Sequence, residues 1–391
     1  MNLVFEDIVL SKDLQILIAV ITSFIVVYQA VPLIINICKN TGLLETPLKR
    51  SSHHEPTPTF GGVAIFAGIM IGYFLWNFGD EGVLLHKVFV GVIILFFLGI
   101  KDDLYALSAV KKLMTQILAS SIVIIGSDLR ITHLFGIMGI NELPYFVSVL
   151  FTIFIFVALI NSFNLIDGID GLSSGIGMIC CGFLGWWFLS NDFWSLACLS
   201  LCTSASLLAF MRYNLSKKQR IFMGDTGSLL IGYIITVLAI KYIHYNVNHE
   251  FAENSIFVSA PILVVVLLSV PMFDSLRVFG LRIFRGKSPF EADRLHMHHL
   301  VVDNGLSHAS TSIIFYIFTI AFTMFSFLLR LQVSNYIMVL VVFTAFVSYS
   351  FLGYRLEVRR VRVHRTTLEK RKEENERISE NLTAQENIGQ N

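Results

Sequence analysis

Eleven apolar runs, most of them about 20 residues long, leave this chain very few ways to fold. They fall at about 14–37, 60–78, 84–100, 113–127, 144–160, 172–189, 193–211, 226–243, 256–276, 311–329 and 335–353. A helix of that length crosses a hydrocarbon core of roughly 30 Å, and in lipid only helices and closed barrels satisfy their own backbone groups. The predicted fold is an all-α polytopic integral membrane protein of about 11 transmembrane helices. Composition agrees: the 391 residues are 55% hydrophobic and 15% charged, against roughly 25% charged in soluble proteins. Residues 1–354 read as one transmembrane domain. Residues 355–391 read as a basic, polar tail, a short juxtamembrane helix that frays into disorder. The first run follows an acidic start without a small-residue cleavage site, so it reads as a retained helix and not a signal peptide. Pro261 and Pro271 predict a kinked or broken ninth span. Cys38, Cys180, Cys181, Cys198 and Cys202 show no metal-ligand spacing and read as packing residues.

An odd number of spans puts the two ends of the chain on opposite sides, and basic residues mark the inner one. With the N-terminus outside, only Lys12, Lys87, Arg130, Lys241 and Arg330 of the 29 Lys and Arg residues lie outside. The expected orientation is N-out, C-in, with the tail arginines as topology signals or contacts to anionic headgroups.

In that threading Asp102, Asp103, Asp167, Asp170, Asp225 and Asp293 all face one side. Asp102 and Asp103 sit in GIKDDLYALSAVKK, directly after an apolar span. In NSFNLIDGIDGL the polar residues Asn161, Asn164, Asp167 and Asp170 recur at a spacing of three, which on a continuous helix forms a single stripe. Gly168 and Gly171 permit close approach of a ligand or helix. Ionisable groups at membrane depth cost several kcal/mol unless paired or solvated. Several carboxylates at one surface also need a compensating cation. Oxygen ligands without thiolates favour Mg²⁺ or Mn²⁺ beside a phosphate substrate.

The segment IFMGDTGSLLIG reads as a turn opening a helix. Gly224 and Gly227 let backbone N–H groups point outward, toward a phosphate or into an ordinary cap. In RGKSPFEADRLHMHHLVVDNG, His296, His298 and His299 form an HxHH cluster. Zinc is one reading, but with no cysteine nearby, imidazoles donating to phosphate or serving as acid or base fit the hard-oxygen surroundings better. Lys287, Arg294, Arg282 and Arg285 add charge there. The first inside loop, with Lys49, Arg50, His53, His54 and three prolines, is either a phosphate contact or a plain connector. A transporter would carry polar residues at mid-membrane on several spans, and related halves; the sequence has neither.

Taken together, PTFGG, DD, NxxNxxDGxDGL, MGDTGS and HxHH resemble, over about residues 40–310, the polyprenyl-phosphate N-acetylhexosamine-1-phosphate transferases. One departure is Ala106, which stands where many members extend the pair to DDxxD. SPFEADRLHMHHL resembles the branch using UDP-GlcNAc or a close relative, rather than the HHH-type motif of the muramoyl-pentapeptide enzymes. The resemblance implies transfer of a sugar 1-phosphate, GlcNAc-1-phosphate being expected, from a UDP-sugar to undecaprenyl phosphate, with release of UMP. It implies Asp102, Asp103, Asp167, Asp170, His296, His298 and His299 as catalytic groups and Asp225 as the metal ligand. Asn161, Asn164, Lys111, Arg294 and Gly224 become the expected substrate contacts, Arg294 at the nucleotide diphosphate. The expected cofactor is Mg²⁺, with Mn²⁺ as its substitute. The expected partners are the UDP-sugar, undecaprenyl phosphate and membrane lipids, with no nucleic acid and a homodimer as the suggested assembly. The expected location is the bacterial inner membrane, the site facing the cytoplasm.

Overall fold

The computed structural model describes residues 11–44, 56–76, 82–134, 136, 139–247, 260–288, 293–329 and 332–388, with side chains as far as Val363. Lys49, Arg50, His53, His54 and Arg330 therefore lie outside the described side chains. The described residues form helices α1 (Lys12–Thr41), α2 (Gly61–Leu75), α3 (Gly82–Leu104), α4 (Ala109–Ser127), α5 (Tyr145–Ile166), α6 (Leu172–Ser190) and α7 (Trp194–Asn214). These are followed by α8 (Gly224–Val247), α9 (Ala260–Leu267), α10 (Ser269–Phe284), α11 (Met297–Asp303), α12 (His308–Leu329) and α13 (Asn335–Ile388). Nine of them are long and apolar enough to cross a bilayer, α2 is a shorter apolar helix, and α9 and α10 form a pair bent by 78°. Each of the eleven apolar runs thus has its counterpart, and the protein is an all-helical, multi-span membrane protein.

The ninth run breaks as its prolines predict. Pro261 and Pro271 stand in the first turns of α9 and α10, where a missing N–H removes no intrahelical bond. The tail departs from expectation. α13 continues from its apolar part to Ile388 as one helix of 54 residues, so the basic segment is an extension of the last span.

α8 is the axis of the bundle. Every residue of its most apolar stretch is buried, and it packs against α2, α3, α5 and α6; a helix apolar on all sides belongs inside. The outer helices expose Leu33, Met114, Ile317 and Phe343, the surface that lipid covers. All five cysteines are buried thiols. The first turn of α8 is gripped by glycines on two neighbours. A Cβ on Gly62 would stand 2.2 Å from the Gly227 nitrogen, and one on Gly99 2.3 Å from the Thr226 Cα. Neither backbone atom can move aside without shifting a helix.

Overpacking a tight core typically costs about 1–3 kcal/mol. Gly99→Leu should therefore lower the melting temperature of the detergent-purified protein by several degrees, whereas Gly82→Ala, with nothing within 4 Å of its Cβ, should leave it unchanged.

Candidate active site

The helix start predicted from MGDTGS is real, and its cap comes from another helix. Gly224 has φ +72°, a conformation open to glycine, and lines the cavity described below. Asp103, in the last turn of α3, accepts the Asp225 N–H at 2.8 Å, the Thr226 N–H at 3.1 Å and the Thr226 hydroxyl at 2.6 Å. These are orphan donors of the kind every helix start leaves, here answered by a charged acceptor. The PTFGG segment joins on: Phe222 N–H donates to Pro58 O, and Gly61 and Gly62 N–H donate to Phe222 O and Met223 O, all at 2.8–2.9 Å. Asp103 is thus the bracket between α3 and α8.

Its neighbour Asp102 faces the other way. Lys112, at the start of α4, forms ion pairs with Asp102 and, at 2.7 Å, with Asp225. Leu107 N–H donates to Asp102 Oδ1 at 2.7 Å, and Asn164 donates to Asp225 Oδ1 at 2.8 Å and to the Ser228 hydroxyl at 3.0 Å. The lysine of the site is Lys112 rather than the predicted Lys111, which is exposed and absent from the cavity wall. Asn161 also lies off the wall. It exchanges amide hydrogen bonds with Gln116 at 2.8 and 3.3 Å and joins α5 to α4.

The stripe of spacing three does not run on as a helix. α5 ends at Ile166 with Asp167 as its C-cap, and the chain turns through Gly171 at φ +81°. The Asn214 side chain holds that turn, accepting Gly171 N–H at 2.6 Å and donating to Ile221 O at 2.9 Å. Asp167 and Asp170 both reach the cavity. Asp170 Oδ2 lies 3.4 Å from His308 Nδ1 and 3.6 Å from an Arg220 nitrogen.

The three histidines part company. His296 is buried, its Nδ1 2.9 Å from Asp274 Oδ2, and the other Asp274 oxygen accepts Met297 N–H at 2.7 Å. His298 is buried too, 3.6 Å from Asp274, its ring so close to the turn after α5 that a Cβ on Gly168 would stand 2.5 Å from Nε2. Arg277 pairs with Asp274 at 3.5 Å and donates to Leu295 O. Of the three only His299 lines the cavity. Burial, then the neighbouring His298 and Arg294, push its imidazole down to about 2, and burial likewise lowers His298. Both rings are neutral at ordinary pH, so His299 offers one N–H donor and one acceptor rather than a standing charge.

These groups converge on one cavity of about 800 Å³ at one end of the bundle, walled by Asp102, Asp103, Lys112, Asn164, Asp167, Asp170, Asp225, Arg294 and His299 among others. The loops that carry these acids meet there.

Residues 85–243 match the model of the family "Glycosyl transferase family 4". The chain is 31% identical over 327 residues, 82% of its length and 86% of the relative's, to a probable undecaprenyl-phosphate N-acetylglucosaminyl 1-phosphate transferase of Bacillus subtilis. The chain belongs to glycosyl transferase family 4. A decaprenyl-phosphate N-acetylglucosaminephosphotransferase of Mycobacterium leprae is 29% identical over 76% of this chain and 79% of its own. An undecaprenyl-phosphate alpha-N-acetylglucosaminyl 1-phosphate transferase of Escherichia coli K12 is 26% identical over 69% of this chain and 72% of its own.

No group of three His, Cys, Asp or Glu side chains in this family 4 chain closes on a common point among the described residues. The two carboxylates that do converge are Asp102 and Asp225, and a cation, the Lys112 ammonium, sits between them. That donor set suits Mg²⁺, which takes one or two carboxylates and completes its shell with water and substrate phosphates. Asp274, Arg277 and Asn214 lie outside the motifs. Asp274 lies more than 20 residues before the histidines it serves.

The two adjacent acids should separate by experiment. Asp103→Asn places an amide N–H₂ against the donors of α8 and should cost about 1–3 kcal/mol of stability, read as a lower melting temperature. Asp225→Asn should melt close to the unsubstituted protein, because Lys112 keeps Asp102 as its partner.

Proposed function

We propose that this protein transfers N-acetylglucosamine 1-phosphate from UDP-GlcNAc to undecaprenyl phosphate, releasing UMP and starting a lipid-linked cell-envelope polysaccharide. The observation that carries the reading is the convergence of Asp102, Lys112 and Asp225 on one point of a polar cavity at the end of an apolar bundle. A lipid acceptor and a water-borne donor can meet only at such a boundary. The names of the relatives supply the sugar and the carrier. The Lys and Arg distribution supports a site facing the cytoplasm of the bacterial inner membrane.

Phosphoryl transfer asks the protein for positioning and charge neutralisation more than for covalent chemistry. The diphosphate of the donor fits beside Lys112 and Arg294, which offset its charge, with the neutral His299 as a further hydrogen-bond donor. Asp225 and Asp102 would hold Mg²⁺, which when bound neutralises phosphate oxygens and orients them. Asn164 fixes the rotamer of Asp225, and Asp103 fixes the backbone that carries it. A lipid phosphate with a second pKa of about 6, as for phosphoryl side chains, is largely dianionic at pH 7. It therefore attacks without a general base. Its oxygen forms a new bond to the β-phosphorus, the bond from that phosphorus to the α–β bridging oxygen breaks, and UMP leaves with the bridging oxygen.

Purified protein given undecaprenyl phosphate, Mg²⁺ and, separately, UDP-GlcNAc, UDP-GalNAc or UDP-MurNAc-pentapeptide should release UMP fastest from UDP-GlcNAc. Preference for another donor would overturn the sugar assignment. Chelation should abolish turnover and Mn²⁺ restore part of it, and Asp225→Asn should lower kcat on the order of 10²- to 10³-fold. Protein-bound label from a β-³²P donor without acceptor, chased into product, would replace direct attack with an aspartyl-phosphate route.

A further inference from the structure

Arg294 reaches the cavity wall from the loop before α11, yet part of what holds it comes from the extension of α13, none of whose described side chains lines that wall. The Arg294 guanidinium donates to Asp303 at 2.7 Å, with a second contact at 3.4 Å. The same Asp303 accepts Arg360 Nη1 at 3.1 Å, and that nitrogen also donates to the backbone carbonyl of Arg294 at 3.0 Å. Arg360 therefore holds Arg294 in two ways, through its main chain and through a shared carboxylate.

Two further contacts fix the register of this helix. Asn304, just past α11, donates to Leu356 O at 3.1 Å. Arg285, at the end of α10, forms a two-pronged ion pair with Glu357, both contacts 3.0 Å. The extension thus contacts the chain before the Arg294 loop, at Arg285, and again just past α11, at Asn304. An arginine whose backbone and carboxylate partner are already fixed loses less rotamer freedom when it meets an anion.

We propose that Arg360, acting with Asp303, is a positioning residue that presents Arg294 to the diphosphate of the UDP-sugar, and that the helical extension of α13 is part of the donor-binding apparatus. This rests on the reading of Arg294 as a donor contact. The extension is a structural input to nucleotide affinity and not only a topology signal.

The test uses the full chain, with steady-state kinetics in UDP-GlcNAc and undecaprenyl phosphate and calorimetric binding of UDP in Mg²⁺. Arg360→Ala should raise the KM for the donor and the Kd for UDP about five- to tenfold, leaving kcat, the acceptor KM and the melting temperature nearly unchanged. Arg360→Lys should fall between, and Arg359→Ala, exposed on the same helix, should change nothing. Combined with Arg294→Ala, Arg360→Ala should add no further loss, the signature of one linked unit. Unchanged donor KM and UDP affinity in Arg360→Ala, losses that multiply with those of Arg294→Ala, or a fall in kcat with melting temperature would overturn the proposal. If Arg294→Ala leaves UDP affinity intact, the donor-contact reading fails and this inference with it. If UDP-GlcNAc gives no turnover, the sugar assignment fails while UDP binding still decides the role of Arg360.

Discussion

A helix start leaves its first N–H groups without intrahelical partners, and the carboxylate of Asp103 supplies them for α8. The placement is electrostatically lopsided. Asp103 stands at the C-terminal end of α3, where the helix dipole is unfavourable to an anion, and at the N-terminal end of α8, where it is favourable. The contact makes sense only with both helix ends held together, and the rest of the site follows. With α3 and α8 joined at that corner, Asp102 and Asp225 become neighbours, α4 brings Lys112 between them, and Asn164 closes the far side.

Two carboxylates so near one another repel unless a positive charge lies between them. Lys112 supplies it within the protein. The two members of the DD pair thus have different jobs despite being adjacent. Asp103 caps the start of α8, and Asp102 pairs with Lys112 on the cavity wall. The histidine motif divides in the same manner: His296 and His298 anchor the loop on Asp274, and His299 is what the loop delivers to the cavity.

The membrane architecture was legible because lipid enforces a single pattern, a long apolar run, and the structure supplies a helix or helix pair for each. The acids were legible as a set because charge at a span end demands a reason. What the pattern could not convey were relations set by three-dimensional packing. Lys111 and Lys112 differ by one position, about 100° around α4, and only the docking of α4 on α3 decides which reaches Asp102. The spacing from Asn161 to Asp170 suggested one stripe, but the glycine turn ends α5 before the second acid. Asp274 lies within α10, and nothing local announces that a loop more than 20 residues on will fold back onto it. The family match came from the joint occurrence of loops that geometry then gathered into one cavity.

The glycine contacts around the start of α8 have a further consequence, for how this chain can vary. Gly62, Gly99, Gly168 and Gly224 each stand where a single added carbon would strike backbone or a site side chain, and all lie near the cavity end of the bundle. The outward faces of α1, α4, α12 and α13 ask only for apolar surface of adequate length. Side chains facing lipid can therefore drift in identity while keeping their hydropathy, and the positions packed around the start of α8 accept almost no change in volume.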